Sequence, residues 1–186
     1  MVVPARFRVT KPTKKLVLEM TELCNSIERA SSGSTEQHEL IVKWNQKTTR
    51  PYELHEFENY WRAVDQKVFV KEALCPSAKY VADLTYPEAR AILEEICTAA
   101  LPEHLISYYI DFLDRQFPNC RASDLIYWPD CWFDDPSMIR DVNGAFKSEA
   151  NLTTDQILHY LMTKSDRRLP EAFDDVQLPF PMPTKW

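Results

Sequence analysis

The chain has 186 residues with 22 Lys/Arg against 28 Asp/Glu, a formal net charge of −6, and that length holds one large domain or two small ones with a proper core. Only two glycines occur, Gly33 and Gly144, which disfavours sheet proteins whose tight hairpins need positive φ and points to an all-α fold. No apolar run approaches the ~20 residues of a membrane span, and Met1-Val2-Val3-Pro4 leads into Arg6 and Arg8 without the apolar core of a secretory signal, so a cytoplasmic protein with no membrane partner is expected.

Charge is unevenly divided. Residues 1–82 carry thirteen Lys/Arg and ten Asp/Glu, a net +3, whereas residues 83–186 carry nine and eighteen, a net −9. An acidic half is a poor nucleic-acid binder, because phosphate attraction needs Lys and Arg. It suits a basic partner protein, or else is a solubilising surface. Cys24, Cys75, Cys97, Cys120 and Cys131 form an odd set with no Cys-x-x-Cys pair, and His38, His55, His104 and His159 are scattered. Neither pattern has metal-ligand spacing. The cysteines read as mostly buried small hydrophobes in a reducing compartment, and no metal or cofactor is expected.

In chain order, Leu16, Met20, Leu23 and Cys24 recur at helical spacing. Ser34 and Gln37 read as a capping box ahead of Leu40, Ile41 and Trp44, with Pro51 beyond the helix end. Glu56–Trp61 and Asp65–Leu74 are the next helical segments. Thr85-Tyr86-Pro87-Glu88 is a second capping box with Pro in the first turn, followed by Ala89, Ile92, Leu93, Ile96, Cys97 and Ala100 on one face. Pro102-Glu103 then starts a helix through Leu105, Tyr109, Phe112 and Leu113, with Pro118 past its end.

These two runs share a plan. At an offset of 73 residues Leu16, Met20, Leu23 and Cys24 match Ala89, Leu93, Ile96 and Cys97 in phase, and Glu22 matches Glu95. Like helices in like order argue for an internal duplication. The second copy is completed by Asp124–Trp128 and by a helix Ser137–Lys147, introduced by Asp134-Asp135-Pro136-Ser137. A third capping box, Thr153 with Gln156, opens a helix carrying Ile157, Leu158 and Leu161. Leu178-Pro-Phe-Pro-Met-Pro183 cannot be helical and is extended, either packed along a groove or loose. The expected domains are 1–82, 83–150 and a tail of 151–186.

Ser123-Asp124-Leu125-Ile126-Tyr127-Trp128-Pro129 is the most distinctive stretch. It sets an acid and two amphipathic rings at the end of a short turn. Such rings are typical interface anchors; the other reading places both in the core, with Asp124 capping a turn. Here residues 83–150 resemble the bacterial immunity proteins that neutralise nuclease colicins and pyocins, where Ser-Asp-Leu-Ile-Tyr-Tyr-Pro is usual. The likeness runs from the helix with Ile96-Cys97, through the next helix and the motif, to Asp134–Ser137. Residues 10–80 resemble the family only in helical pattern.

The resemblance implies tandem four-helix bundles followed by a C-terminal helix and a Pro-rich tail, and a function in binding and blocking a cognate nuclease toxin. It implies Asp124, Tyr127 and Trp128 as shared anchors, Ser123 as a supporting contact, and Ile106, Ile110 and Asp114 as specificity contacts. Trp128 departs from the usual second tyrosine, and Tyr108, Tyr109 and Phe112 make the second helix more aromatic than the family's. At the motif position the first copy has His55-Glu-Phe-Glu-Asn-Tyr60-Trp61, which is either a degenerate scaffold or a site for something else. A helical adaptor with a non-nuclease partner is the alternative function. No Gly-rich phosphate loop, His-Glu-x-x-His or legible nucleophile–base pair argues for an enzyme, and adjacent carboxylates such as Glu94-Glu95 do not face each other on a helix.

Overall fold

A computed structural model describes residues 2–183. Among these are ten α-helices and three short 3-10 turns, with no strand. The fold is all-α. The chain divides into two compact units: an amino-terminal unit of residues 8–77 and 102–108, and a carboxy-terminal unit whose described residues are 2–7, 78–101 and 109–183. These units cut across the 1–82, 83–150 and 151–186 division: residues 102–108 group with the amino-terminal unit, and residues 2–7, 78–82 and 151–183 with the carboxy-terminal unit.

The amino-terminal unit contains α1 (Lys14–Arg29), α2 (Thr35–Asn45), α3 (Leu54–Asn59), a 3-10 turn over Tyr60–Arg62, and α4 (Gln66–Ala73). Each start is chemically marked. Thr13 accepts from Leu16 N, and Asp65 accepts from Val68 N at 2.8 Å. Ser34 accepts from Gln37 N at 3.1 Å. The Gln37 side chain does not complete the box: its oxygen takes Gly33 N at 2.8 Å and its amide donates to Ile27 O at 3.0 Å. Gly33 itself sits at φ +73, in the left-handed region that glycine enters without steric cost.

Met20, Cys24 and Ile27 fall at i, i+4 and i+7 on α1, so one stripe faces the core. It meets Trp44, Tyr52, Phe57, Phe69 and Val70, all buried. Trp44 is the hub, with ring centroids 5.1 Å from Phe57, 5.7 Å from Phe69 and 5.8 Å from Tyr52. Sealing each such side chain is worth roughly 1.5–3 kcal/mol, so the ring cluster organises the unit.

The carboxy-terminal unit contains α5 (Tyr86–Cys97), the part of α6 (Glu103–Gln116) from Tyr109 on, α7 (Ala122–Tyr127), α8 (Pro129–Phe133), α9 (Pro136–Ile139) and α10 (Thr154–Ser165). Both expected boxes form. Thr85 N and Oγ1 donate to Glu88 at 3.0 and 3.1 Å, and Thr153 N donates to Gln156 Oε1 at 2.9 Å. Ile92, Leu93 and Ile96 of α5, Leu113 of α6 and Leu158 and Leu161 of α10 are buried. Trp132, Phe133 and Tyr160 add an aromatic layer, with Phe133 and Tyr160 centroids 5.1 Å apart.

The tail is packed. Phe180 is buried, its ring lies 5.3 Å from that of Phe133, and its carbonyl accepts from Tyr160 Oη at 2.6 Å. Fully buried Gln116 ties down two further segments: its oxygen accepts from Val81 N (2.9 Å) and Arg167 Nη1 (3.0 Å), and its amide donates to Lys79 O (2.7 Å).

Two expected elements differ. The helix over Ser137–Lys147 is only Pro136–Ile139, after which Arg140 and Phe146 pair as an isolated antiparallel bridge. The cause is the turn Asp141-Val-Asn-Gly144. Asp141 Oδ1 accepts from Asn143 N and Ala145 N, and Gly144 takes φ +80, so the local bonds compete with helix and win. Helix N-capping there falls to Asp135, which accepts from Ser137 N and Met138 N, rather than to Ser137. The second difference is that helix resumes at Pro129, because proline's fixed φ suits a first helical position.

Candidate functional site

The motif sits in the carboxy-terminal unit, and its geometry follows from three local devices. Asn119 and Arg121 adopt left-handed backbone, φ 66 and 49, which turns the chain sharply after Phe117. The turn leaves the first N–H of α7 without a cap from its own N-cap residue, Arg121. Asp114, a turn from the end of α6, supplies the acceptor: Ala122 N donates to its Oδ1 at 2.6 Å. At the other end Trp128 leaves helical conformation at φ −136, ψ 58, and Pro129 begins α8.

Ala122 and Leu125 point inward, 0 and 1% exposed, and buried Pro129, Trp132 and Phe133 hold the far side. Helical periodicity then turns Ser123, Asp124 and Tyr127 away from the core. Tyr127 is 41% exposed and Trp128 56%. The rings stand in water on a backbone clamped at both ends. Neither the Tyr127 hydroxyl nor the Trp128 indole N–H has a hydrogen-bond partner among the described residues.

Ser123 Oγ lies 3.5 Å from Asp124 Oδ1, and the Arg121 guanidinium is 3.8 Å from the same carboxylate. Partial burial pushes the Tyr127 phenol up, with a smaller contribution from Cys97. The Asp114 carboxyl is also raised, first by burial and then by the neighbouring Asp124 charge, against the lowering effect of the Ala122 N–H. Burial depresses the Lys164 ammonium, which lies 4.9 Å from the Trp132 ring centroid; Cys120 and Asp124 act the other way.

The seven residues singled out by the sequence therefore fall into groups. Asp124, Tyr127 and Trp128, with Ser123 beside them, form one outward-facing patch. Asp114 is half-buried and already engaged in capping α7, so its role differs from that of a free contact. Ile110 is half-buried on α6 in the same unit; Ile106, also half-buried, belongs to the amino-terminal unit. Sequence reasoning passed over Arg121, whose side chain is 83% exposed beside Asp124. The signal was there in Arg121-Ala-Ser-Asp124, a cation three residues before the acid.

The amino-terminal segment with a similar ring pair, His55–Trp61, is built differently. Tyr60 Oη donates to Glu28 Oε1 at 2.5 Å, and its ring stacks on Phe69 with centroids 4.4 Å apart. Trp61 is 66% exposed, yet its indole N–H donates to Glu58 O at 2.8 Å. Glu56 is bound by Arg50 at 2.6 Å and accepts from Glu53 N at 2.9 Å. Here the polar tips of Tyr60, Trp61 and Glu56 are all bonded inside the unit.

All five cysteines are free: Cys24, Cys75 and Cys120 are buried, Cys97 and Cys131 exposed. Burial holds the Cys75 and Cys120 thiols up at about 11, so both are poor nucleophiles at neutral pH. Among the described residues no group of three or more His, Cys, Asp or Glu is placed to hold a metal ion, and no helix is long and apolar enough to cross a membrane. Compared with family models, with curated proteins and with solved structures, the chain matches none.

Proposed function

We propose that the protein is an inhibitor of the immunity type, which neutralises a nuclease toxin by covering a basic surface next to its active site. The observation that carries this reading is the pair Tyr127 and Trp128: large rings held in water, their polar tips unbonded to any described residue, on a segment fixed by Leu125, Pro129 and the Asp114–Ala122 bond. Such rigid amphipathic rings give contact area at little entropic cost. Asp124 alongside supplies the acid that a basic surface would meet. The −9 charge of residues 83–186 would steer association and raise its rate, and the rings would then set slow release. DNA or RNA is excluded by bulk and negative potential, with no chemistry required of the inhibitor.

The test is inhibition, by the purified full chain, of the product of any nuclease gene adjoining its own. Stoichiometric inhibition is expected. Tyr127→Ala and Trp128→Ala should each weaken binding by about 2 kcal/mol or more, roughly thirtyfold. Absence of inhibition, or full inhibition by the Asp124→Ala/Tyr127→Ala/Trp128→Ala variant, would overturn the proposal. A stable complex with a protein lacking nuclease activity would support the adaptor alternative instead.

A further inference from the structure

The amino-terminal unit contains a cavity of about 690 Å³, bounded by residues 9–12, α1, α4 and the first turn of α6. Its wall is apolar, made by Val9, Pro12, Val17, Leu18, Leu74 and Leu105. Leu18, an apolar side chain of α1, is left 60% exposed there. Three polar side chains on the wall are already engaged. Thr21 donates to Val17 O (2.8 Å), Gln66 to Asn25 Oδ1 (2.9 Å), and Cys75 to His104 O (3.7 Å).

The remaining polar lining is almost all cationic. Lys11, Lys14, Lys67 and Lys71 border the cavity with His104, and no Asp or Glu is among its lining residues. None of the four lysines takes part in an ion pair among the described residues. The His104 imidazole is held below its ordinary value by burial first and then by the charges of Lys71 and Lys11, which border the same cavity. An apolar wall bordered by unneutralised positive charge is complementary to a molecule with an apolar body and one anionic head.

We propose that this cavity is a binding site for a soluble single-chain carboxylate of the fatty-acid class, with the acyl chain along the Val17, Leu74 and Leu105 wall and the carboxylate between Lys11 and Lys71. The volume lies within the range of small-molecule sites. A nucleic acid has no matching apolar body, and the lining offers no Phe, Tyr or Trp ring for a base to stack on. The site is independent of the Tyr127–Trp128 patch.

Isothermal titration of the full chain with decanoate, dodecanoate and tetradecanoate, each below its micelle concentration, tests the proposal. Saturable 1:1 binding is expected, tightening roughly fourfold per added methylene. Dodecanoate methyl ester should bind at least tenfold more weakly. Lys11→Gln with Lys71→Gln should weaken dodecanoate at least tenfold and leave the far-ultraviolet circular dichroism unchanged, since both lysines lie outside the core cluster. Val17→Trp, which sets an indole across the wall where the acyl chain would lie, should weaken dodecanoate at least tenfold. Equal affinity for the ester, no chain-length dependence, or association only with phosphatidylglycerol vesicles or with an acidic peptide would each overturn it.

Discussion

Asp114 links the candidate site to the fold, and replacing it by Ala and by Asn separates the two roles open to it. Its oxygen is the acceptor for the first N–H of α7, and Arg121 offers no substitute cap. Loss of a cap costs about 1 kcal/mol, and a part-buried N–H left unpaired costs about 1–3 kcal/mol. Removing a half-buried carboxylate near Asp124 returns some of this, so Asp114→Ala should lose about 1.5 kcal/mol at pH 7. Asp114→Asn keeps an acceptor and sheds the charge; it should stay within about 0.5 kcal/mol of the parent.

The pH dependence has a definite sign. A carboxyl whose folded pKa is raised binds its proton more tightly in the native than in the unfolded state. The parent should therefore gain stability relative to Asp114→Asn as pH falls through the raised value towards the ordinary aspartate range. Urea unfolding of the full chain at pH 7 and pH 4, followed by circular dichroism, measures both effects. Because α7 carries Tyr127 and leads into Trp128, Asp114→Ala should also make tryptophan fluorescence more accessible to acrylamide. If Asp114→Ala is as stable as Asp114→Asn at pH 7, the capping role is refuted.

Other substitutions probe the same structure. Tyr60→Phe should cost about 1–2 kcal/mol, because it removes a bond to the Glu28 carboxylate, whereas Tyr127→Phe should leave urea unfolding unchanged; a matching loss at Tyr127 would mean its hydroxyl is engaged. Gln116→Leu strands Val81 N, Lys79 O and one Arg167 bond and should cost about 3 kcal/mol in the same assay. Arg6 holds both Glu88 and Asp83 below the usual carboxylate range through its hydrogen bonds. That stabilisation is present above the unfolded carboxylate pKa values and is lost as pH falls through the folded ones, so Arg6→Ala should lower the melting temperature at pH 6 and leave it unchanged at pH 2.

What the sequence made legible was mostly local. Thr85-x-x-Glu88 and Thr153-x-x-Gln156 bring donor and acceptor within one turn, so their spacing alone foretold the helix starts. The long amphipathic runs of α1, α5 and α6 were legible because one face repeats at 3.6 residues. The extension of Ser137 to Lys147 failed for an equally local reason: Asp141-Val-Asn-Gly144 carries turn chemistry that outweighed weak helical periodicity. The association of residues 102–108 with the amino-terminal unit, and of Arg167 with Gln116, depends on interactions between distant segments. No window of sequence contains them. At the candidate site the residue types were legible, but the capping role of Asp114 was not, since it joins two helices through one hydrogen bond.

The contrast between the two ring pairs bears on function more directly than the exposure of either. Packing alone does not decide it, since Trp61 is more exposed than Trp128. What differs is the state of the polar tips: those of Tyr60 and Trp61 are bonded to Glu28 and Glu58, while those of Tyr127 and Trp128 are not bonded to the described residues. A tip in water loses nothing in the free protein, and a bond formed across an interface then adds specificity to the area the ring buries. Removing Tyr127 or Trp128 should therefore leave the isolated chain as stable as before and weaken only its complex. That separation of stability from binding is what an interface anchor requires and what a core ring cannot show.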